Sequence, residues 1–442
     1  MIRFLVSVIL LLVILPMRSQ GNFKFSTSKS KTTIPFKLIN NLIIVPAKLN
    51  GVNLNFLLDT GVEETILFSL EETDDIQFEN VEKIRLRGLG KEESIEGLKS
   101  SRNKLEFKDL HDDNHDIYIV LDQDFNFSSH IGIPVNGIIG YQFFRNNLVE
   151  IDYDSKKIIV HQNADKAREK FNRKFTGIPM SIEFRKPYIV SKVAQNGKRF
   201  HAKLLADIGN SDAVWLFEQK SDSIDIPEKT FDDFLGRGFS GEIHGKRGRI
   251  DTFELGGFVF ETPIAAFPDS TSIRHVSIVS DRVGSIGGEI FKRFDVVFDY
   301  QNRMMYLKKG DHFDAPFHYN MSGIDVEHAG LQWIKESVQK GASMNLAVEL
   351  DSNFERVRND FQYKFELKPM FKISDVRPDS PAAEAKLEKD DILKTINGKS
   401  AYKLTLEQIN QILRSEVGRE IRIEVERKGQ LIKAKFKLRT LL

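Results

Sequence analysis

The chain repeats itself, and this constrains its fold more than any other feature. From Gly137 it reads GIIGYQFFRNNLVEIDYDSKKIIV, and from Gly284 it reads GSIGGEIFKRFDVVFDYQNRMMYL. Each copy runs Gly, two small or apolar residues, Gly, a short stretch of helical character with an aromatic, then apolar–Asp–Tyr and a closing strand. Other landmarks recur at nearly the same spacing. Leu57-Leu58-Asp59-Thr60-Gly61 answers to Leu205-Ala206-Asp207-Ile208-Gly209, and Arg87-Gly88-Leu89-Gly90 to Arg237-Gly238-Phe239-Ser240. The separations are 147, 148 and 150 residues (140 to 287, 59 to 207, 88 to 238). Ile34-Pro35 and Ile178-Pro179 open the copies, and Asn50-Gly51 matches Asn196-Gly197. A recurrence of this kind implies two copies of one fold, over 34–162 and 175–309. Charged stretches, 163–174 and 308–319, are expected to link the copies to each other and to the C-terminal part of the chain.

Each copy is written in strands. Apolar or alternating runs such as Leu42–Leu49, Leu54–Leu58 and Asp116–Leu121 are punctuated by Asn-Gly, Gly-x-Gly and Asp-rich turns. With 41% hydrophobic and 29% charged residues, the 442-residue chain has the composition of a folded protein. Lys and Arg number 64 against 63 Asp and Glu, a net charge of +1 that gives no support to a nucleic-acid partner. The absence of cysteine excludes disulfides, thiolate nucleophiles and Cys-ligated metal. Arg3 followed by the apolar run FLVSVILLLVIL (Phe4 to Leu15) and Pro16 reads as a signal peptide over 1–20, too short to span a bilayer in the usual way. An uncleaved anchor is the alternative, and it would be the protein's only membrane contact.

Two Asp-x-Gly loops, one per copy and each after an apolar strand, suggest a carboxylate pair. Two carboxylates held together share a proton: one stays ionised to take a proton from water, and the other stays protonated to donate to a carbonyl oxygen. Glycine after each aspartate lets the two loops approach. On these residues, with Ile138-Ile139-Gly140 and Ser285-Ile286-Gly287, the chain resembles the retropepsin-like aspartic proteases in a single-chain, two-lobe form. Asp-x-Gly alone is a weak signal, and its doubling in register is what gives it weight. The resemblance implies catalytic Asp59 and Asp207, with Thr60, Gly61, Gly209 and Ser211 in the active-site loops. It implies flaps at Gly88, Gly90, Gly238 and Gly241, and an apolar–apolar–Gly strand beside each catalytic loop. No metal or cofactor is implied, and the substrate is a peptide or protein. Two departures bear on activity. Ile208 stands where the family has a Thr that braces the loops, and Glu63 stands where a hydroxyl is usual, bringing charge close to Asp59. A catalytically degenerate peptide-binding or scaffold protein of the cell envelope is therefore the alternative to an aspartic endopeptidase.

The C-terminal part differs in character. Ser380-Pro381-Ala382-Ala383-Glu384-Ala385-Lys386-Leu387, then Asp391-Ile392-Leu393 and Asn397-Gly398, resemble the bacterial PDZ pattern, with Lys386 in place of the usual Gly. Ser380-Pro381 reads as a helix start, and Leu406 to Leu413 as an amphipathic helix. The resemblance implies an α/β PDZ-like domain over 320–442, with its core at 359–442. It also implies a peptide ligand adding to the strand carrying Phe361, Tyr363 and Phe365. His111-Asp112-Asp113-Asn114-His115 has metal-ligand residue types but is read as a solvated turn. The expected molecule is mainly β: two tandem retropepsin-like acid-protease lobes followed by the PDZ-like domain. It is expected to be monomeric and exported, in a periplasmic, cell-surface or secreted setting.

Overall fold

The structure, a computed structural model, describes residues 22–68, 76–86, 95–120, 127–162, 164–238, 241–273, 279, 281–339 and 361–442. The expected signal peptide and the glycines Gly88 and Gly90 lie outside them. The molecule is mainly β: two lobes of repeated architecture are followed by an α/β PDZ-like domain.

Local chemistry sets the hairpins. Strands Leu42–Leu49 and Val52–Leu58 are joined through Asn50 (φ 49°) and Gly51 (φ 90°), both left-handed. Asn196-Gly197 and Asn397-Gly398 repeat the same backbone, the Asn-Gly hairpin turn whose twist matches that of the strands. In lobe one, Val52–Leu58 then pairs in parallel with Gly137–Ile139, placing Leu58 beside Ile139. In lobe two, Lys198–Ala206 pairs in parallel with Arg282–Ile286, placing Ala206 beside Ile286. Each Asp-x-Gly loop therefore leaves its sheet beside the apolar–apolar–Gly strand, as the resemblance implies.

The lobes join through a six-stranded antiparallel sheet. Leu148–Asp152 of lobe one pairs with Phe294–Asp299 of lobe two, with Glu150 opposite Val297. Those two residues are 147 apart, so the residue at the centre of the seam faces its own counterpart in the repeat. This is the self-complementary contact that a two-fold dimer would make, here within one chain. One continuous apolar core runs through both lobes, from Val45 and Phe56 to Phe253 and Phe298.

The expected linker over 163–174 is instead a helix, Ala164–Lys174, packed on this seam. Phe171, fully buried, meets Leu148, Val297 and Tyr306, and Arg168 donates to both oxygens of Asp299 at 2.6 and 3.0 Å. Two buried positions among many charges did not stand out as an amphipathic pattern, yet burying one phenylalanine is worth about 2–3 kcal/mol.

In the PDZ domain, Ser380 caps Pro381–Glu384, accepting from the Ala383 N–H, and Thr405 and Gln408 form a reciprocal capping box on Leu406–Leu413. The stretch after Ser322 is a long strand, Ile324–Gln339, paired along its length with Phe361–Val376. The PDZ core continues into lobe two through Phe231 and Ile264, with the Phe231 ring 5.2 Å from Tyr319. The three modules thus share surfaces instead of hanging on tethers.

Candidate active site

The end of Val52–Leu58 delivers Asp59, and the end of Lys198–Ala206 delivers Asp207. Each loop is pinned to the neighbouring strand in the same way: Asp59 N–H donates to Ile139 O and Asp207 N–H to Ile286 O, both at 2.9 Å. Each glycine then donates to its own aspartate, Gly61 N–H to Asp59 Oδ1 at 2.6 Å and Gly209 N–H to Asp207 Oδ1 at 3.0 Å. The glycines are also where the opposite lobe arrives. A Cβ on Gly61 would lie 2.9–3.0 Å from the Asp207 carboxylate, and one on Gly209 would overlap that of Asp59. Only glycine permits this approach.

The two carboxyls are hydrogen-bonded to each other, and both are pushed above the ordinary carboxylate range. For Asp59, burial is the main cause and the Asp207 charge the next. For Asp207, burial also dominates, but the Arg282 charge, the hydrogen bond from Asp59 and the Gly209 N–H oppose it. The pair therefore holds a proton between its two carboxyls and titrates as a unit. One acid and one base within hydrogen-bond reach of each other is the arrangement that general acid–base attack by water requires.

The loop brace is one-sided. Buried Thr60 Oγ donates to Ala206 O at 2.6 Å and accepts from Ile208 N–H at 3.0 Å, crossing from lobe one to lobe two. Ile208, fully buried in the shared core, has no hydroxyl to return this. Ser211 acts through its carbonyl, which accepts from Asn41 Nδ2 at 2.8 Å. Glu63 does not crowd Asp59 as expected. It pairs with Lys186 at 3.5 Å and Glu64 pairs with Arg185 at 2.5 Å, both cations coming from the hairpin of the opposite lobe. These carboxylates help to close the lobes on each other.

The dyad lies in a cavity of about 770 Å³ walled by all three modules. Lobe one gives Leu42, Leu57, Ile66 and Ile138, and the PDZ domain gives Asp325, Val326 and Asp375. Lobe two gives a flap, the hairpin of Thr230–Gly238 and Gly241–Arg249, in which Gly238 pairs with Gly241 and Arg237 and Gly238 line the cavity. The described arms of the corresponding lobe-one hairpin, Glu82–Leu86 and Ile95–Phe107, do not reach the cavity. Arg247 on the flap donates to Asp212 at 2.6 Å and Asp233 at 2.5 Å, and Arg377 of the PDZ domain also reaches Asp233 at 3.4 Å. Trp215 Nε1 donates to Asp212 at 2.7 Å. Flap, catalytic loop and PDZ domain are thus joined through one ionic chain.

Two sequence expectations are corrected here. Phe361, Tyr363 and Phe365 do not lie beside the helix Leu406–Leu413. Their strand is the inner arm of the long hairpin, between Ile324–Gln339 and Ile392–Ile396 in the sheet, where they stand opposite Gln339, Ser337 and Lys335, and Phe365 is exposed. The strand that packs near the helix is Ile324–Gln339, whose sequence carries no PDZ signature. Its edge is covered by lobe one: helix Phe127–Ile131 packs on it, Gly132 abuts Leu406, and His130 lies 3.8 Å from Glu327. Asn40 N–H also donates to Glu407 at 2.9 Å. The second correction concerns 111–115, which lies within the strand Leu110–Val120 and not in a turn. Buried His115 bonds Asp112 at 2.8 Å and Thr65 at 2.7 Å, tying the strand after the first catalytic loop to its neighbour. Among the described residues, no group of three or more His, Asp or Glu side chains is arranged to hold a metal.

The family described as aspartyl protease matches residues 45–143, and the PDZ domain family matches residues 372–427. No curated protein matches the chain. Among solved structures, the crystal structure of aspartic proteinase from Irpex lacteus is 12% identical, covering 64% of this chain and 99% of that one with a TM-score of 0.39. By the family matches, residues 45–143 carry a retropepsin-like aspartyl protease domain and residues 372–427 a PDZ domain; the loop and strand arrangement of the first lobe recurs around Asp207.

Proposed function

We propose that this protein is an exported aspartic endopeptidase that hydrolyses peptide bonds with water activated by Asp59 and Asp207. The observation that carries this reading is the meeting of the two carboxyls, each seated against the other lobe's glycine. Asp207 takes a proton from water as its oxygen bonds to the peptide carbonyl carbon, and Asp59 gives its proton to the carbonyl oxygen. The tetrahedral diol then collapses: one hydroxyl returns its proton to Asp59, Asp207 passes its proton to the amide nitrogen, and the C–N bond breaks. No cofactor enters. Export is inferred from the apolar run near the N-terminus, and the periplasm, cell surface or medium is the setting it suggests.

The PDZ domain serves first as the third wall of the cleft. Recruitment of a peptide to the edge of Ile324–Gln339 by strand addition requires lobe one's 127–132 to leave that edge. Ile208 favours a second reading, a peptide binder without catalysis, because half of the loop brace is missing. Cleavage of a mixed peptide library by the protein from Gly21 onward, from acid to neutral pH, separates the two readings. Cutting by the parent and none by Asp59→Asn or Asp207→Asn, with all three folded, supports the endopeptidase. A folded parent that cuts nothing at any pH supports the binder.

A further inference from the structure

The two walls of the cleft differ in charge, although they come from one repeat. The lobe-two position that answers to Val135 is Arg282, and the one that answers to Ile138 is Ser285. Val135 is fully buried apolar core, whereas Arg282, only 8% exposed, lines the cavity. Its Nε donates to Gly284 O at 3.0 Å, its guanidinium lies 5.3 Å over the Phe217 ring, and the charge of Asp207 acts on it from across the site. Among the described residues no carboxylate comes within ion-pair distance. A buried cation without a bonded anion is costly, so one retained at a cavity wall suggests an anion that arrives there.

One other cation of the lobe-two side points the same way. The carboxylates Glu63, Asp212 and Asp233 are each held by a cation. Arg237 on the flap, by contrast, lines the cavity with no ion pair among the described residues, and its Nε is buried without a partner. The dyad, sharing a proton, holds one negative charge that Arg282 faces, Lys186 is taken up by Glu63, and Asp325 and Asp375 lie on the PDZ wall, so the cations left on the lobe-two side are Arg282 and Arg237. Space is present too: Ser285 lies between Leu205 and Trp215 in the sheet, all three lining the cavity, where a larger apolar side chain would fill the floor beside Arg282.

We propose that the lobe-two side of the cleft receives an acidic side chain of the substrate, Asp or Glu, on Arg282, within two residues of the scissile bond. Arg237 closes over it from the flap. This rests on the protease reading for its substrate but not for its binding chemistry, and the test separates the two. Peptide pairs identical except for Glu or Gln, with the residue moved along the sequence, are assayed for kcat/KM with the parent. The same pairs, fluorescently labelled, are assayed for affinity with the Asp59→Asn protein. At one position the Glu peptide is expected to be favoured by about tenfold or more, the worth of a charge-assisted hydrogen bond. Arg282→Gln brings that ratio to about one, and Arg282→Lys restores part of it. A merely structural role for Arg282 would weaken both peptides alike and leave the ratio standing. Protection of Arg282 from phenylglyoxal by the Glu peptide, but not the Gln peptide, reads the same contact without a variant. Equal affinity for Glu and Gln at every position, or a preference unchanged in Arg282→Gln, overturns the proposal. A parent that cuts neither peptide sinks the protease reading alone, since affinity still decides the subsite.

Discussion

Replacing Asp325 with asparagine should stabilise the protein, and by an amount that depends on pH. Asp325 sits at the cleft wall on the strand Ile324–Gln339, directly opposite Asp375 on the neighbouring strand. Like charges in that position repel. Burial first, then the charges of Asp233 and Asp375, raise its carboxyl from 3.8 to about 7, with Arg377 and Arg247 pulling the other way. Because the folded protein holds this proton more tightly than the unfolded chain, the associated stability is present below pH 3.8. It is lost as pH rises to about 7 and stays lost above that. At about 1.4 kcal/mol per pH unit the full loss is roughly 4 kcal/mol. Asp325 is only half-buried and faces the cleft, so water screens part of it, and about 2 kcal/mol is the expected effect. Urea denaturation of parent and Asp325→Asn at pH 4 and pH 8 measures it. The variant should match the parent at pH 4 to within about 1 kcal/mol and exceed it by about 2 kcal/mol at pH 8. A stability difference that is the same at both pH values would refute the argument that this carboxyl titrates out of its ordinary range.

The catalytic loops give further expected outcomes. Gly209→Ala puts a methyl group where the Asp59 carboxylate sits; peptide cleavage should fall by about 100-fold or more, since displacement of a reacting group by 1 Å can cost that much. Retained cleavage would mean that the loops do not need this approach. Thr60→Val keeps shape but leaves Ala206 O and Ile208 N–H without their partner, and chemical denaturation should show a loss of about 2–5 kcal/mol. A loss under about 0.5 kcal/mol would show that the one-sided brace does not hold the lobes.

How far the sequence could be read depends on which physics set each feature. The glycines and aspartates of the loops are local necessities: a carboxyl that must meet its twin needs a glycine next door, and that pattern is visible twice. The Asn-Gly turns and the Ser380-Pro381 helix start were legible for the same reason. The helix Ala164–Lys174 was not, because the surface that buries Phe171 comes from residues near 148, 297 and 306. Glu63 was misread because its partner, Lys186, belongs to the other lobe. The strand facing the PDZ helix was assigned one strand too late, because register across a long hairpin is decided by pairing and not by composition.

The sequence by itself determined the duplication, the two strand-borne aspartates and the PDZ module, because each is encoded by residues close together in the chain. Tertiary structure alone decided that the two aspartates meet and hold a proton between them, that a buried Arg282 lies on one wall of the cleft, and that the PDZ domain forms a third wall with lobe one covering the strand edge beside its helix. Those properties arise from charges and surfaces that meet across modules, where burial strengthens each interaction and no local pattern records the encounter.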